Sequence, residues 1–243
     1  MANKYREDKD LEILRYADNE MLKFLVAYLT KDENGNIRLT EELLDNENFK
    51  KSNGDFKQAW KEIAAELQYF GGDTFVNLFR GSGILYREIL IDVCKKINVE
   101  LNDSQTTINI EQNLLSKLFE KAWSEMSQQE KDDIKNRLGI DPTLTGGALL
   151  ASILASISSG IISREISLLL ARAVAQALIG TSFSTAAEIG ATRLLGIFTG
   201  PIGWAIVGLL TIPAISGPAF RVTLPCVIQI SAIRQQMLEK DYF

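Results

Sequence analysis

The side chains most capable of chemistry crowd between residues 66 and 92: Glu66, Asp73, Arg80, Tyr86, Arg87 and Asp92, with Glu88 among them. Paired carboxylates in such a group can move protons or hold a divalent cation, and neighbouring arginines can take an anion. The same residues also read as helix-end ties. Asp73 follows Gly71-Gly72 and suits an N-cap, while Arg80 or Arg87 would bridge two helix ends through a carboxylate. Ion-pair networks of that kind imitate active sites, and the structural reading is the simpler one.

The rest of the composition excludes most catalytic classes. Histidine is absent, which removes Ser-His-Asp and Cys-His catalysis and imidazole metal ligands. The two cysteines, Cys94 and Cys226, make no zinc or disulfide framework and are expected as free thiols. Lys95-Lys96 would activate an exposed Cys94, but its place beside Val93 favours a buried, inert thiol. Asp32-Glu33-Asn34-Gly35-Asn36 imitates a calcium loop, yet Ile37 stands where glycine is needed and Leu43 where a bidentate glutamate is needed. It reads as a turn. Gly81-Ser82-Gly83 lacks a third glycine and a preceding strand, and neither a phosphate loop nor a nucleophile elbow occurs. The expectation is therefore no enzyme, no metal and no cofactor. A net charge of -5 and a pI near 5.0 argue against nucleic acid as a partner.

Helices must position these residues. Leu22, Leu25, Val26 and Leu29 form one apolar stripe, with Asp18 as N-cap. Trp60, Ile63, Ala64, Leu67 and Phe70 form another that Gly71-Gly72 ends, and Asp73 would cap a short helix through Phe79. Leu85, Ile89, Val93 and Ile97 predict a helix within 84–97, and Leu114, Leu115, Leu118, Phe119 and Ala122 predict a further one. Ser127-Gln128-Gln129-Glu130 is a capping box that opens a helix ending at Gly139. Val222, Cys226, Ile230, Ile233 and Met237 mark a final helix, with Pro225 at or near its first turn and Arg221 and Arg234 towards opposite ends. No useful period-2 alternation appears. The expected fold is all-α: a compact helical bundle with an apolar, Gly-rich C-terminal hairpin and no substantial sheet.

Charge divides the chain. Residues 1–142 hold 20 Lys and Arg against 27 Asp and Glu, whereas residues 143–243 hold 6 against 4. Thr143 to Ser163 is uncharged for 21 residues and Leu194 to Phe220 for 27. A helix needs about 20 apolar residues to cross a bilayer, so both stretches are long enough. Serines dilute the first, and Pro201 and Pro213 interrupt the second. Gly196 and Gly200 are a small-residue pair, and with Pro201, Gly203 and Trp204 they are the candidate contact with a membrane or partner. The organisation expected is an N-terminal helical module over 1–36, an acidic helical domain over 37–142, and an apolar helical region over 143–243.

Several long motifs carry a resemblance. Trp60-Lys61-Glu62-Ile63-Ala64-Ala65-Glu66-Leu67-Gln68-Tyr69-Phe70-Gly71-Gly72-Asp73 and the run from Arg80 to Val93 resemble the central motif of the bacterial YaaW family. Gly200-Pro201-Ile202-Gly203-Trp204-Ala205 and the run from Ser216 to Pro225 are similar to its C-terminal part. Tyr5 to Leu11 and Leu29 to Asp32 resemble a short N-terminal module often attached to such proteins. The resemblance covers nearly the whole chain and is weakest over 143–190. It implies a bacterial origin and supplies no activity. That family has been grouped remotely with ubiquinol–cytochrome c chaperones, helical assembly factors, and no functional residue carries over from the grouping.

Two functions follow from these readings. The first is a non-enzymatic partner-binding or regulatory protein, with an unidentified protein partner and a hairpin over roughly 144–215 that associates with a lipid membrane. It would sit in the cytoplasm or at the inner membrane, since the polar start Met1 to Asp8 is no secretory signal. The second is a wholly soluble chaperone-like or scaffold protein, in which 143–220 is a permanent hydrophobic core.

Overall fold

The computed structural model describes residues 4–32, 35–38, 42–71, 83–179, 208–209 and 219–239. Among them the architecture is all-α. A 3-10 turn (Glu12–Tyr16) precedes α1 (Asn19–Thr30), α2 (Glu47–Lys51), α3 (Trp60–Gly71), α4 (Tyr86–Lys96) and α5 (Thr107–Glu125). Then follow α6 (Gln128–Arg137), α7 (Gly146–Ser158), α8 (Ser163–Ile179) and α9 (Phe220–Glu239). The one β pairing in the described residues is an isolated bridge from Lys31 to Ile37 across the polar turn.

The expected stripes are the buried faces. Leu22, Leu25, Val26 and Leu29 line the inner face of α1, and Leu114, Leu115, Leu118, Phe119 and Ala122 line that of α5. The capping box at Ser127 forms: its hydroxyl accepts from the Glu130 amide while Glu130 accepts from the Ser127 amide at 2.8 Å. A second box at Thr106 starts α5, with Asn109 as the reciprocal side chain. Asp18 occupies the cap position of α1, but its side chain makes no capping hydrogen bond there.

Helix α9 is the axis of the fold. It packs against the 3-10 turn and against α1, α3, α4, α5 and α8. From Val222 to Gln235 its residues are buried on every side rather than along one stripe. The composition explains this, because Thr223, Gln229 and Ser231 are the only polar residues between Val222 and Ile233. Pro225 lies inside the helix, in its second turn, and not at its start. A proline there removes one helical hydrogen bond, which the surrounding packing tolerates.

Helices α7 and α8 meet at 99°. Gly160 makes the corner possible at φ +89°, a left-handed conformation that glycine adopts without strain. Ser163 seals the joint by donating to the Ile157 carbonyl at 2.7 Å. Leu149, Ile153 and Ile157 bury one row of α7, which packs on α5, while Ile166, Leu170 and Val174 bury one row of α8, which packs on α5 and α9. One continuous apolar cluster thus runs from Leu11 to Met237.

Candidate functional site

The most organised polar site is internal, and it begins with a segment that has no helix. Residues 4–8 run as an irregular strap before a turn leads into the 3-10 element, with Glu7 and Lys9 outward and Asp8 and Leu11 buried. Gln68 of α3 reads the strap backbone with both ends of its amide. It accepts from the Arg6 amide at 2.9 Å and donates to the Arg6 carbonyl at 2.9 Å. The segment before α4 closes on the same residue at Gly83, where a β-carbon would lie 2.5 Å from the Gln68 β-carbon. Tyr5 meets the Trp60 ring edge-on at 5.3 Å.

Asp8 does what the sequence around α4 does not. The N-cap of that helix is Leu85, which has no side-chain acceptor, and the Asp8 carboxylate accepts from the Tyr86 amide at 2.6 Å instead. An acidic group suits that position because the amides of a helix N-terminus are unpaired and carry partial positive charge. Burial nevertheless raises the Asp8 carboxyl above its ordinary range, against the pull of the Tyr86 and Asp10 amides.

Beneath the strap lies a fully enclosed ion pair. Arg234 Nε of α9 donates to both oxygens of Glu111 of α5, at 3.1 and 3.0 Å. Glu111 is 0% and Arg234 6% exposed. Arg234 Nη2 continues to the Asp10 carbonyl at 2.8 Å, and Tyr86 OH donates to Glu111 at 2.7 Å. Thr107, at the start of α5, donates to the Asp10 carboxylate at 2.8 Å. Burial raises the Glu111 carboxyl, opposed by the Arg234 charge and the Tyr86 hydroxyl. Tyr86 is pushed well above its ordinary value by burial and then by Glu111. Burial lowers the Arg234 guanidinium, but the charges of Glu111, Tyr86 and Asp10 outweigh it and the net direction is up. Glu111, Arg234 and Tyr86 are therefore held to one another by hydrogen bonds that no solvent reaches. It is a fastening, and it joins both ends of the described chain.

The residues singled out from sequence go to separate places. Tyr86 enters the network. Glu66 is buried and accepts from the Glu42 amide at 3.1 Å, Arg87 donates to the Gln105 carbonyl at 2.7 Å, and Asp92 is exposed. Asp73 and Arg80, and likewise Gly196, Gly200, Pro201, Gly203 and Trp204, lie outside the described residues. Among the described residues no group of three His, Cys, Asp or Glu side chains is placed to hold a metal ion. Cys94 and Cys226 are free thiols and buried, and burial raises Cys94 to about 12.

Glu111, Arg234, Asp10 and Gln68 were not selected by the sequence reading, although two of them left a mark. Glu111 falls on the stripe that Leu114, Leu115 and Leu118 define, and Arg234 follows Ile230 by one turn. A charge on an apolar stripe is a sign of a buried pair.

Comparison with known proteins places the chain. It is 37% identical over 233 residues to a UPF0174 protein of Helicobacter pylori strain J99, covering 95% of this chain and 92% of the relative. It is 32% identical over 240 residues to the UPF0174 protein YaaW of Escherichia coli K12, covering 96% of each. The chain belongs to the UPF0174 family. A family model described as a domain of unknown function (DUF3944) matches residues 5–39, and one described as ubiquinol-cytochrome C chaperone matches residues 55–228. The UPF0174 chain thus carries a chaperone-family domain preceded by a separate module. Its network crosses that division, since Asp8 and Asp10 lie in the first match and Tyr86 and Glu111 in the second. No solved structure matches it.

Proposed function

We propose that this chain is a non-enzymatic, chaperone-like protein that binds a protein partner at the cytoplasmic side of the inner membrane, with α7 and α8 as its lipid-associating part. The observation that carries the reading is the two-faced character of α7. Its inner row is buried, while Ala148, Ala151 and Ala155 are exposed on the outside and Ile161 at the corner is 77% exposed. No charge interrupts that face from Thr143 to Ser163. No single described helix is long and apolar enough to cross a membrane; α7 and α8 reach that length only together, across a 99° bend. A bent pair whose first helix is uncharged and whose second carries Arg164, Glu165 and Arg172 supports contact along a surface rather than a crossing. The chaperone-family match over residues 55–228 supports a protein as the partner.

Burial of Ile153, Ile157, Leu170 and Val174 favours a second reading, in which the apolar segment is only a core and the protein never meets lipid. Flotation with phosphatidylethanolamine–phosphatidylglycerol vesicles separates the two. The first reading expects the wild-type chain to float and the Ala151→Glu/Ala155→Lys variant to stay in the dense fraction while keeping its helical circular dichroism. Wild-type protein that never floats decides for the soluble chaperone.

A further inference from the structure

The strap is bound the way a peptide ligand is bound. Its contacts combine backbone reading that any sequence satisfies with side-chain reading that few do. Gln68, 0% exposed, takes the amide and carbonyl of Arg6, and Arg234 takes the carbonyl of Asp10. Specificity comes from Tyr86 N on the Asp8 carboxylate, Thr107 on the Asp10 carboxylate, the Trp60 ring against Tyr5, and full burial of Leu11. Glu7 and Lys9 point outward and are not read. The receiving groups come from α3, α4, α5 and α9, and the strap belongs to a separately matched module.

We infer that α3, α4, α5 and α9 form a peptide-recognition groove for irregular acidic segments of the pattern aromatic-x-x-Asp-x-Asp-Leu, that residues 5–11 occupy it in cis, and that a partner protein bearing such a segment docks by displacing them. The inference rests on the partner-binding part of the proposed function and is independent of lipid. The preference for acid over base is set by the Tyr86 amide on the Asp8 carboxylate and the Thr107 hydroxyl on the Asp10 carboxylate, while Arg234 holds the backbone. Arg234 offers Nη2 outward to the strap while Nε is held by Glu111. A carbonyl next to that guanidinium is stabilised, and a lysine in place of Asp8 would meet the N-terminal amides of α4 with the wrong charge.

The test uses the full chain and a dye-labelled synthetic peptide of residues 4–14. In the wild type the tethered strap competes at high effective concentration, so the added peptide binds weakly. The full-length Asp8→Ala/Asp10→Ala variant, whose own strap has lost its acidic anchors, is expected to bind the peptide at least tenfold more tightly than wild type. The same peptide carrying Asp8→Asn and Asp10→Asn is expected to lose at least tenfold on that variant. A folded double variant that binds no better than wild type, or equal binding of the two peptides, overturns the inference. Should that variant lose its helical signal, hydrogen exchange of the wild type decides. Amides of residues 6–10 that exchange at least tenfold faster than those of α9 support displacement, and exchange at the α9 rate overturns it. Neither result bears on vesicle flotation, so the lipid reading stands or falls separately.

Discussion

The strap network and the α7–α8 corner are both attached to α5, and they are attached by opposite means. The network is held by charge and hydrogen bonding inside the protein: Glu111, Arg234, Tyr86, Thr107 and the two aspartates of the strap. The corner is held mainly by rows of Leu, Ile and Val, with a few serine hydrogen bonds at the joint. Polar fastening is directional, so it specifies one register and fails as a unit when a partner is removed. Apolar packing is tolerant and degrades by increments of side-chain volume. The segment whose register is read residue by residue is fastened by the first means. The segment proposed to meet another surface is fastened by the second.

Breaking the network should give the largest change. Arg234→Met leaves Glu111 buried without its counter-charge, and a loss of about 3–5 kcal/mol is expected in urea unfolding. Adding Glu111→Leu to that variant should restore most of the loss, because two apolar side chains replace the pair. Persistence of the full loss would mean the pair is stabilising in its own right. On the other side of the comparison, Ile153→Ala should cost about 2–5 kcal/mol with no rescue by any charge change. Gly83→Ala, which forces α3 away from the segment that leads into α4, should cost about 1–3 kcal/mol, measured the same way.

Alkali sharpens the contrast further. Cys94 ionises near its ordinary value of 9.0 when unfolded and at about 12 when folded. Between those values the folded state holds more protons, so stability is intact below pH 9 and falls as pH rises towards 12. By pH 10 this group should contribute a loss of about 1–2 kcal/mol, visible as a shallower alkaline limb in Cys94→Ala. The smallest effect is expected outside α7, where Ala151→Lys should shift stability by about 0.5 kcal/mol or less in thermal unfolding.

Much of the fold could be read from spacing. The stripes of α1, α3 and α5 and the Ser127 capping box depend on neighbours three or four residues away, and local order carries them. The central place of α9 was less legible, because a five-residue stripe was read where the whole circumference from Val222 to Gln235 is buried. The site was least legible. Glu66, Tyr86, Arg87 and Asp92 are close in sequence yet turn to different partners, whereas Asp8 meets Tyr86 from 78 residues away and Asp10 meets Arg234 from 224. Nothing in local spacing encodes such pairings. Leu85 reads as part of the apolar stripe, and only the structure makes it a cap whose acceptor comes from Asp8.

The reach of that last contact also sets a clock. A ribosome extends a chain at about 5–20 residues per second, so roughly 10–45 seconds separate the emergence of Asp10 from that of Arg234. From its own emergence until the end of that interval Glu111 has no Arg234 to pair with, and α1, α3, α4 and α5 lack the helix around which they close. The strap can meet Gln68, Tyr86 and Thr107 well before that, and the Arg234 contact that completes its network is the last to become possible.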